Sequence, residues 1–167
     1  MDLQIATKEV AAQTVTSVRR RLEIADLSPY VTQSIAKMRQ VLRGAGIPEA
    51  GVPFSIFHER VGEERAGEVE VCVPCAADAL DEDVVERRDL PATAVAYVTL
   101  ANEQARYPEI LDVYEAIAAS MLRDGHLLGE GPREIYHDTQ TEIAWPIGRP
   151  ASTEHVRPPA SANDDVG

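Results

Sequence analysis

Glu9-Val10-Ala11-Ala12-Gln13-Thr14-Val15 returns 80 positions later as Asp89-Leu90-Pro91-Ala92-Thr93-Ala94-Val95. Working outward, Pro29, Val31, Ile35, Met38, Leu42 and Gly46 return 79 positions on as Pro108, Ile110, Tyr114, Ile117, Met121 and Gly125. Ile56-Phe57-His58-Glu59 matches Ile135-Tyr136-His137-Asp138. Val69-Glu70-Val71-Cys72-Val73-Pro74 matches Thr141-Glu142-Ile143-Ala144-Trp145-Pro146. These matches keep one order, which indicates internal duplication. The period is too long for a solenoid, whose units run roughly 20–50 residues. Two halves, about 3–75 and 84–148, are therefore expected to pack as one pseudo-symmetric domain over 1–149, with a cleft at the seam.

Each half reads as β-α-β-β. Residues 5–19 carry Val10, Val15 and Val18 among Thr, Gln and Ser, the pattern of a strand. Ser28-Pro29 has the chemistry of a helix start, and Val31, Ile35, Met38, Leu42 and Ala45 then form one apolar stripe. Gly44 and Gly46 end that helix, and strands follow at Phe54–Glu59 and Glu68–Pro74. In the second half a strand at Ala92–Leu100 precedes a helix opened by Pro108 and closed by Gly125. Arg133–Asp138 and Thr141–Ile147 supply its last strands. Ala76–Arg88 reads as an acidic linker, and 150–167, with three prolines and no periodicity, as a flexible, dispensable tail. The fold class is α+β: an antiparallel sheet with two long helices on one face and a ligand groove expected on the other.

The chain of 167 residues carries a formal charge of −12, which argues against direct nucleic-acid binding and favours cationic ligands. It has no membrane-length apolar run and no secretory leader. Two cysteines make no disulfide framework, so a cytoplasmic setting is expected. Cys72-Val73-Pro74-Cys75 has CxxC spacing but ends a strand and lacks a second pair. His58 and His137 are repeat-equivalent, yet no further residue completes metal-ligand spacing. No cofactor motif is present, and none is expected.

Alternation places Ile143, Trp145 and Ile147 under the helices and Glu142, Ala144 and Pro146 on the opposite, open face. Glu70 and Cys72 are opposed to Val69, Val71 and Val73 in the same way. Glu134, Tyr136 and Asp138 share a face, as do their counterparts Ser55, Phe57 and Glu59. A carboxylate beside aromatic rings suits a cation, each ring adding roughly 0.5–2 kcal/mol.

With Asp89-Leu90-Pro91-Ala92, Glu134-Ile135-Tyr136 and Thr141-Glu142-Ile143-Ala144-Trp145-Pro146-Ile147, the chain resembles the GyrI-like small-molecule-binding domains, a fold shared with effector domains of AraC-type and MerR-type regulators. The resemblance covers roughly residues 3–148. It implies an aromatic groove with a buried glutamate that receives lipophilic cations. The implied acid is Glu142, with Glu134 second, and the implied tyrosine is Tyr136; Phe57, Glu70 and Ala144 complete the expected site. It also implies a stand-alone member without a DNA-binding segment, since the domain begins at residue 3. The expected function is binding of a hydrophobic, cationic or polycyclic small molecule by a monomer or homodimer. One alternative is a hydrolase of cyclopropane-bearing natural products, with Glu142 as general base and Tyr136 beside it; another is a gyrase-directed protein-interaction module.

Overall fold

The computed structural model describes residues 2–76 and 86–148. The first strand region divides in two, β1 (Ala6–Val10) and β2 (Gln13–Leu22), followed by helix α1 (Ile24–Gly44). Strands β3 (Phe54–Phe57) and β4 (Gly67–Pro74) complete the first half. The second half runs β5 (Glu86–Leu90), β6 (Thr93–Ala101), α2 (Ile110–Arg123), β7 (Leu127–Leu128), β8 (Arg133–Tyr136) and β9 (Gln140–Gly148). The architecture is the expected mixed α+β one: an antiparallel sheet, curled into a half-barrel, and two helices.

Among the described residues the sheet order is β1-β6-β9-β8-β3-β4-β2-β5, with β7 joined to β9. Its centre is the β3–β8 pairing, where the two halves meet. Its margins are exchanged. β1 belongs to the first half by sequence but pairs with β6, and its repeat partner β5 pairs with β2. Residues 5–19 are therefore not one strand, because the chain passes from one edge of the sheet to the other at Ala11-Ala12. Nor is Ala76–Arg88 wholly a linker, since Glu86–Arg88 already lie in β5; residues 77–85 and the expected tail fall outside the described residues.

The helix ends follow the duplication. Gly46 and Gly125 take φ of 70° and 77°, left-handed values that a side chain disfavours. Each follows its helix by two residues and completes a Schellman closure. Gly46 N–H and Ile47 N–H donate to the carbonyls of Arg43 and Leu42, as Gly125 and His126 do to Leu122 and Met121. The starts differ from expectation. α1 begins at Ile24, whose N–H is taken by the Gly62 carbonyl at 3.0 Å, so Ser28-Pro29 lies inside the helix. A tertiary acceptor replaces the side-chain cap on which the expectation rested. α2 begins at Ile110, two residues past Pro108.

Both helices cover the same face of the sheet. Met38 and Leu42 pack on Val71 and Val73 in one half, and Ile117 and Met121 on Val98 and Ile143 in the other. The face of the sheet away from the helices also carries buried side chains: Val15, Phe54, Ile56, Cys72 and Leu90 form a separate small core there.

Candidate functional site

The groove lies on the helix-bearing face, between α1 and α2, and not on the opposite face where alternation alone had put it. Each helix covers only its own half of the sheet, so the central strands β3 and β8 remain uncovered between them. On the opposite face Val15, Phe54, Ile56, Cys72 and Leu90 pack together into a small core. The resulting cavity has a volume of about 1530 Å³. Val31 and Ile35 of α1 line one wall, Ile110 and Tyr114 of α2 the other, and Phe57, Glu134, Tyr136 and Trp145 rise from the sheet.

Glu134 sits at the centre of this floor. It pairs with Ser55 of β3 on one side and Ile143 of β9 on the other, which aims its side chain towards the helices. The Tyr114 hydroxyl donates to Glu134 Oε1 at 2.6 Å. Burial pushes the Glu134 carboxyl up to about 7, against the opposing pull of hydrogen bonds from the Tyr114 and Tyr136 hydroxyls. Both tyrosines are themselves held well above the ordinary phenol range, first by burial and then by the neighbouring carboxylate. The Tyr136 hydroxyl is also hydrogen-bonded with the Ser55 hydroxyl, 2.7 Å away, which fixes its ring against the floor.

The aromatic wall is continuous. Phe57 and Tyr114 meet edge-on at 6.5 Å between centroids, and Tyr114 and Trp145 at 6.3 Å. These geometries leave ring faces available to a ligand. Trp145 Nε1 is buried without a hydrogen-bond partner, an indole donor with no acceptor within the described residues.

Of the residues singled out from sequence, Glu134, Tyr136 and Phe57 converge on the cavity. Glu142, Glu70 and Ala144 do not line it; they point to the other face of the sheet. There the two glutamates form a duplicated clasp on the exchanged strands. Lys8 of β1 donates to Glu142 Oε1 at 2.8 Å, with His137 Nε2 at 3.9 Å from Oε2. Arg88, the repeat counterpart of Lys8, pairs with Glu70 Oε1, which His58 Nε2 also reaches at 2.9 Å. The repeat equivalence of Glu70 and Glu142 is thus accounted for by strand anchoring. Ala144 is buried beneath neighbouring strands, opposite Arg133 and Tyr97.

Tyr114 and Trp145 are site residues that periodicity assigned to packing. Tyr114 occupies the apolar stripe of α2 between Ile110 and Ile117, and its hydroxyl was the one signal that this position faces something other than core. Cys72 and Cys75 are free and belong to cores on opposite faces of the sheet, so their CxxC spacing brings no thiol pair together. Burial raises the Cys72 thiol far above its ordinary range, which makes it unreactive. No cluster of three metal-ligating side chains occurs among the described residues, and no described helix is long and apolar enough to cross a membrane.

No protein-family model and no curated protein sequence matches the chain. Solved structures do. The C-terminal domain of EcmrR superposes with a TM-score of 0.75 at 23% identity, over 90% of this chain and 100% of that domain. The chain spans 58% of the longer EcmrR chain seen in its DNA complex. A hydrolase from Listeria innocua superposes at 0.58 with 11% identity, over 87% of this chain and 92% of that one. SAV2435, solved with bound tetraphenylphosphonium, superposes at 0.53 with 13% identity, over 89% and 94%. At these identities the likeness is one of fold, consistent with the GyrI-like resemblance carried by the sequence.

Proposed function

We propose that this protein binds a hydrophobic, aromatic cation in the cavity between its helices, with Glu134 as the counter-charge. The observation that carries this reading is that Glu134, alone among the lining carboxylates in not being exposed, lies among the rings of Phe57, Tyr114, Tyr136 and Trp145. An empty site of this kind disfavours ionised Glu134, and a cation removes the penalty by neutralising it. The rings of Phe57, Tyr114, Tyr136 and Trp145 add dispersion and cation–π attraction. SAV2435 binds tetraphenylphosphonium on the same fold, which makes that cation a suitable probe here.

Trp145 is the only tryptophan of the chain and lines the cavity, so its fluorescence reports occupancy directly. Tetraphenylphosphonium should quench it saturably in the wild type. Ala118→Phe, which fills the cavity from the α2 wall without adding a second tryptophan, should weaken binding strongly while circular dichroism stays native. Unsaturable quenching, or undiminished affinity in the filled variant, would place any binding elsewhere.

A second reading, a hydrolase on the same scaffold, is favoured by one observation. A carboxyl pushed up to about 7 is poised to accept a proton from water near neutral pH. In that case Glu134, rather than Glu142, is the general base, and Tyr114 is its orienting donor. Turnover separates the readings: a binding protein returns an electrophilic ligand unchanged, and a hydrolase does not.

A further inference from the structure

The two ends of the cavity differ in charge, and the strand directions decide which residues share an end. Five successive antiparallel pairings separate β2 from β6, so these two strands run in opposite directions. α1 follows β2 and α2 follows β6, which makes the helices antiparallel. The last turns of α1 therefore share one mouth of the cavity with the approach to α2. Tyr136 ends β8 on the same side, opposite Thr141 of β9. Arg39 and Arg43 of α1, Glu49 and, ahead of α2, Arg106 line this mouth. At the other end Glu59 and Arg60 balance each other in charge.

Three guanidinium groups thus meet one carboxylate at the α1 C-terminal mouth, and that carboxylate is taken. Arg39 grips both oxygens of Glu49, with Nε at 2.8 Å and a terminal nitrogen at 3.3 Å. Among the described residues neither Arg43 nor Arg106 has a carboxylate within ion-pair distance, and both are exposed. The remaining lining acid, Glu115, is exposed midway along α2. Two uncompensated cations at the entrance run against the formal charge of −12. The cavity also has room to spare. At about 1530 Å³ it exceeds the roughly 300–1,000 Å³ that a drug-sized ligand needs. Ile110 precedes Tyr114 by one helical turn, a rise of about 6 Å. The basic mouth therefore begins close to the Tyr114–Glu134 hydrogen bond.

We infer that the preferred ligand is amphoteric: an aromatic cation at Glu134, joined by a short chain to a carboxylate held at the mouth by Arg43 and Arg106. This rests on the cation site proposed above and narrows its ligands from lipophilic cations in general to zwitterions. A guanidinium fork matches the two oxygens of a carboxylate, and a plain cation leaves both forks unused. The overall field of the protein works the other way, since a negative molecule attracts a net cation more than a neutral zwitterion. A preference for the zwitterion must then come from cations local to the site.

The test uses two probes with the same head group: (carboxybutyl)triphenylphosphonium, a zwitterion, and its methyl ester, a net cation. Their affinities are read through Trp145 quenching at pH 8, where Glu134 is ionised. The proteins are wild type, Glu134→Gln and the double variant Arg43→Gln, Arg106→Gln. Both arginines are exposed and outside any described ion pair, so the double variant is expected to fold, and circular dichroism checks this. The wild type should bind the acid roughly threefold or more tighter than the ester, and the double variant should lose that preference through the acid alone. Glu134→Gln should weaken both probes. If the ester binds through Glu134 but the acid binds no tighter, the cation site stands and the amphoteric preference is wrong. A preference that survives in the double variant, or an equal loss of both probes there, also overturns it. If neither probe binds, the cation reading falls and this inference with it.

Discussion

The Glu134 carboxyl titrates near 7 in the folded chain and near 4.5 in an unfolded one. Between those values the folded protein holds a proton that the unfolded chain has released. Stability from this group is complete below about pH 4.5 and is lost as pH rises through 7, a difference of up to about 3 kcal/mol. Urea unfolding at pH 5 and pH 8 should show this loss in the wild type and a correspondingly smaller one in Glu134→Gln. Cation binding has the opposite slope, since the ligand requires the ionised acid. Affinity should fall roughly 30-fold between pH 8 and pH 5.5, and the fall should vanish in the glutamine variant. Tyr114→Phe removes a hydrogen bond that favours ionisation and should shift both profiles to higher pH. At this scale the sequence was only partly legible. Alternation told correctly that Glu134 and Tyr136 share a face, as do Ser55 and Phe57, and that Glu142 and Glu70 oppose the branched face of their strands. The expected site nevertheless merged residues that the sheet holds on opposite faces. Alternation could not tell which face carries the cavity, because that depends on the gap left between the two helices, which leaves no mark on single residues.

At the scale of elements, the helices carry packing along one stripe and the cavity wall along another. Met38 and Ile117 are 1% and 0% exposed at equivalent points of the two buried stripes. Alanine at either should cost about 2–5 kcal/mol in chemical denaturation. The exchanged strands are secured unequally. Glu70 is fully buried, and Arg88→Met takes away its closest partner, for a cost approaching the 3–5 kcal/mol typical of a broken buried pair. Glu142 and Lys8 are 12% and 38% exposed, so Lys8→Met should cost about 1 kcal/mol or less. Equal costs in parallel denaturation curves would mean that the two clasps are not distinguished by burial. Helix ends were readable because Gly46 and Gly125 must adopt left-handed backbone. The start of α1 was not, because its cap is the Gly62 carbonyl, distant in sequence.

At the scale of the molecule, duplication was visible in the sequence but exchange was not, since β1 and β5 match each other equally well whichever partner each chooses. The exchange makes the halves interdependent: residues 3–75 contain β1 but not β6, its only partner strand in the described sheet. That fragment should show no cooperative thermal transition on its own, and a sharp one would contradict the interlocked topology. The cavity depends on the same assembly, with α1 from one half, α2 from the other, and Glu134 between them. The central claim is that this cavity, with Glu134 as its charge, is the ligand site. It is tested most directly by measuring the affinity of one aryl phosphonium cation for wild type, Glu134→Gln and Glu142→Gln through Trp145 fluorescence. The account predicts a loss of tenfold or more, about 1.4 kcal/mol or above, for Glu134→Gln and little change for Glu142→Gln. Unchanged binding in Glu134→Gln, or a loss confined to Glu142→Gln, would contradict it.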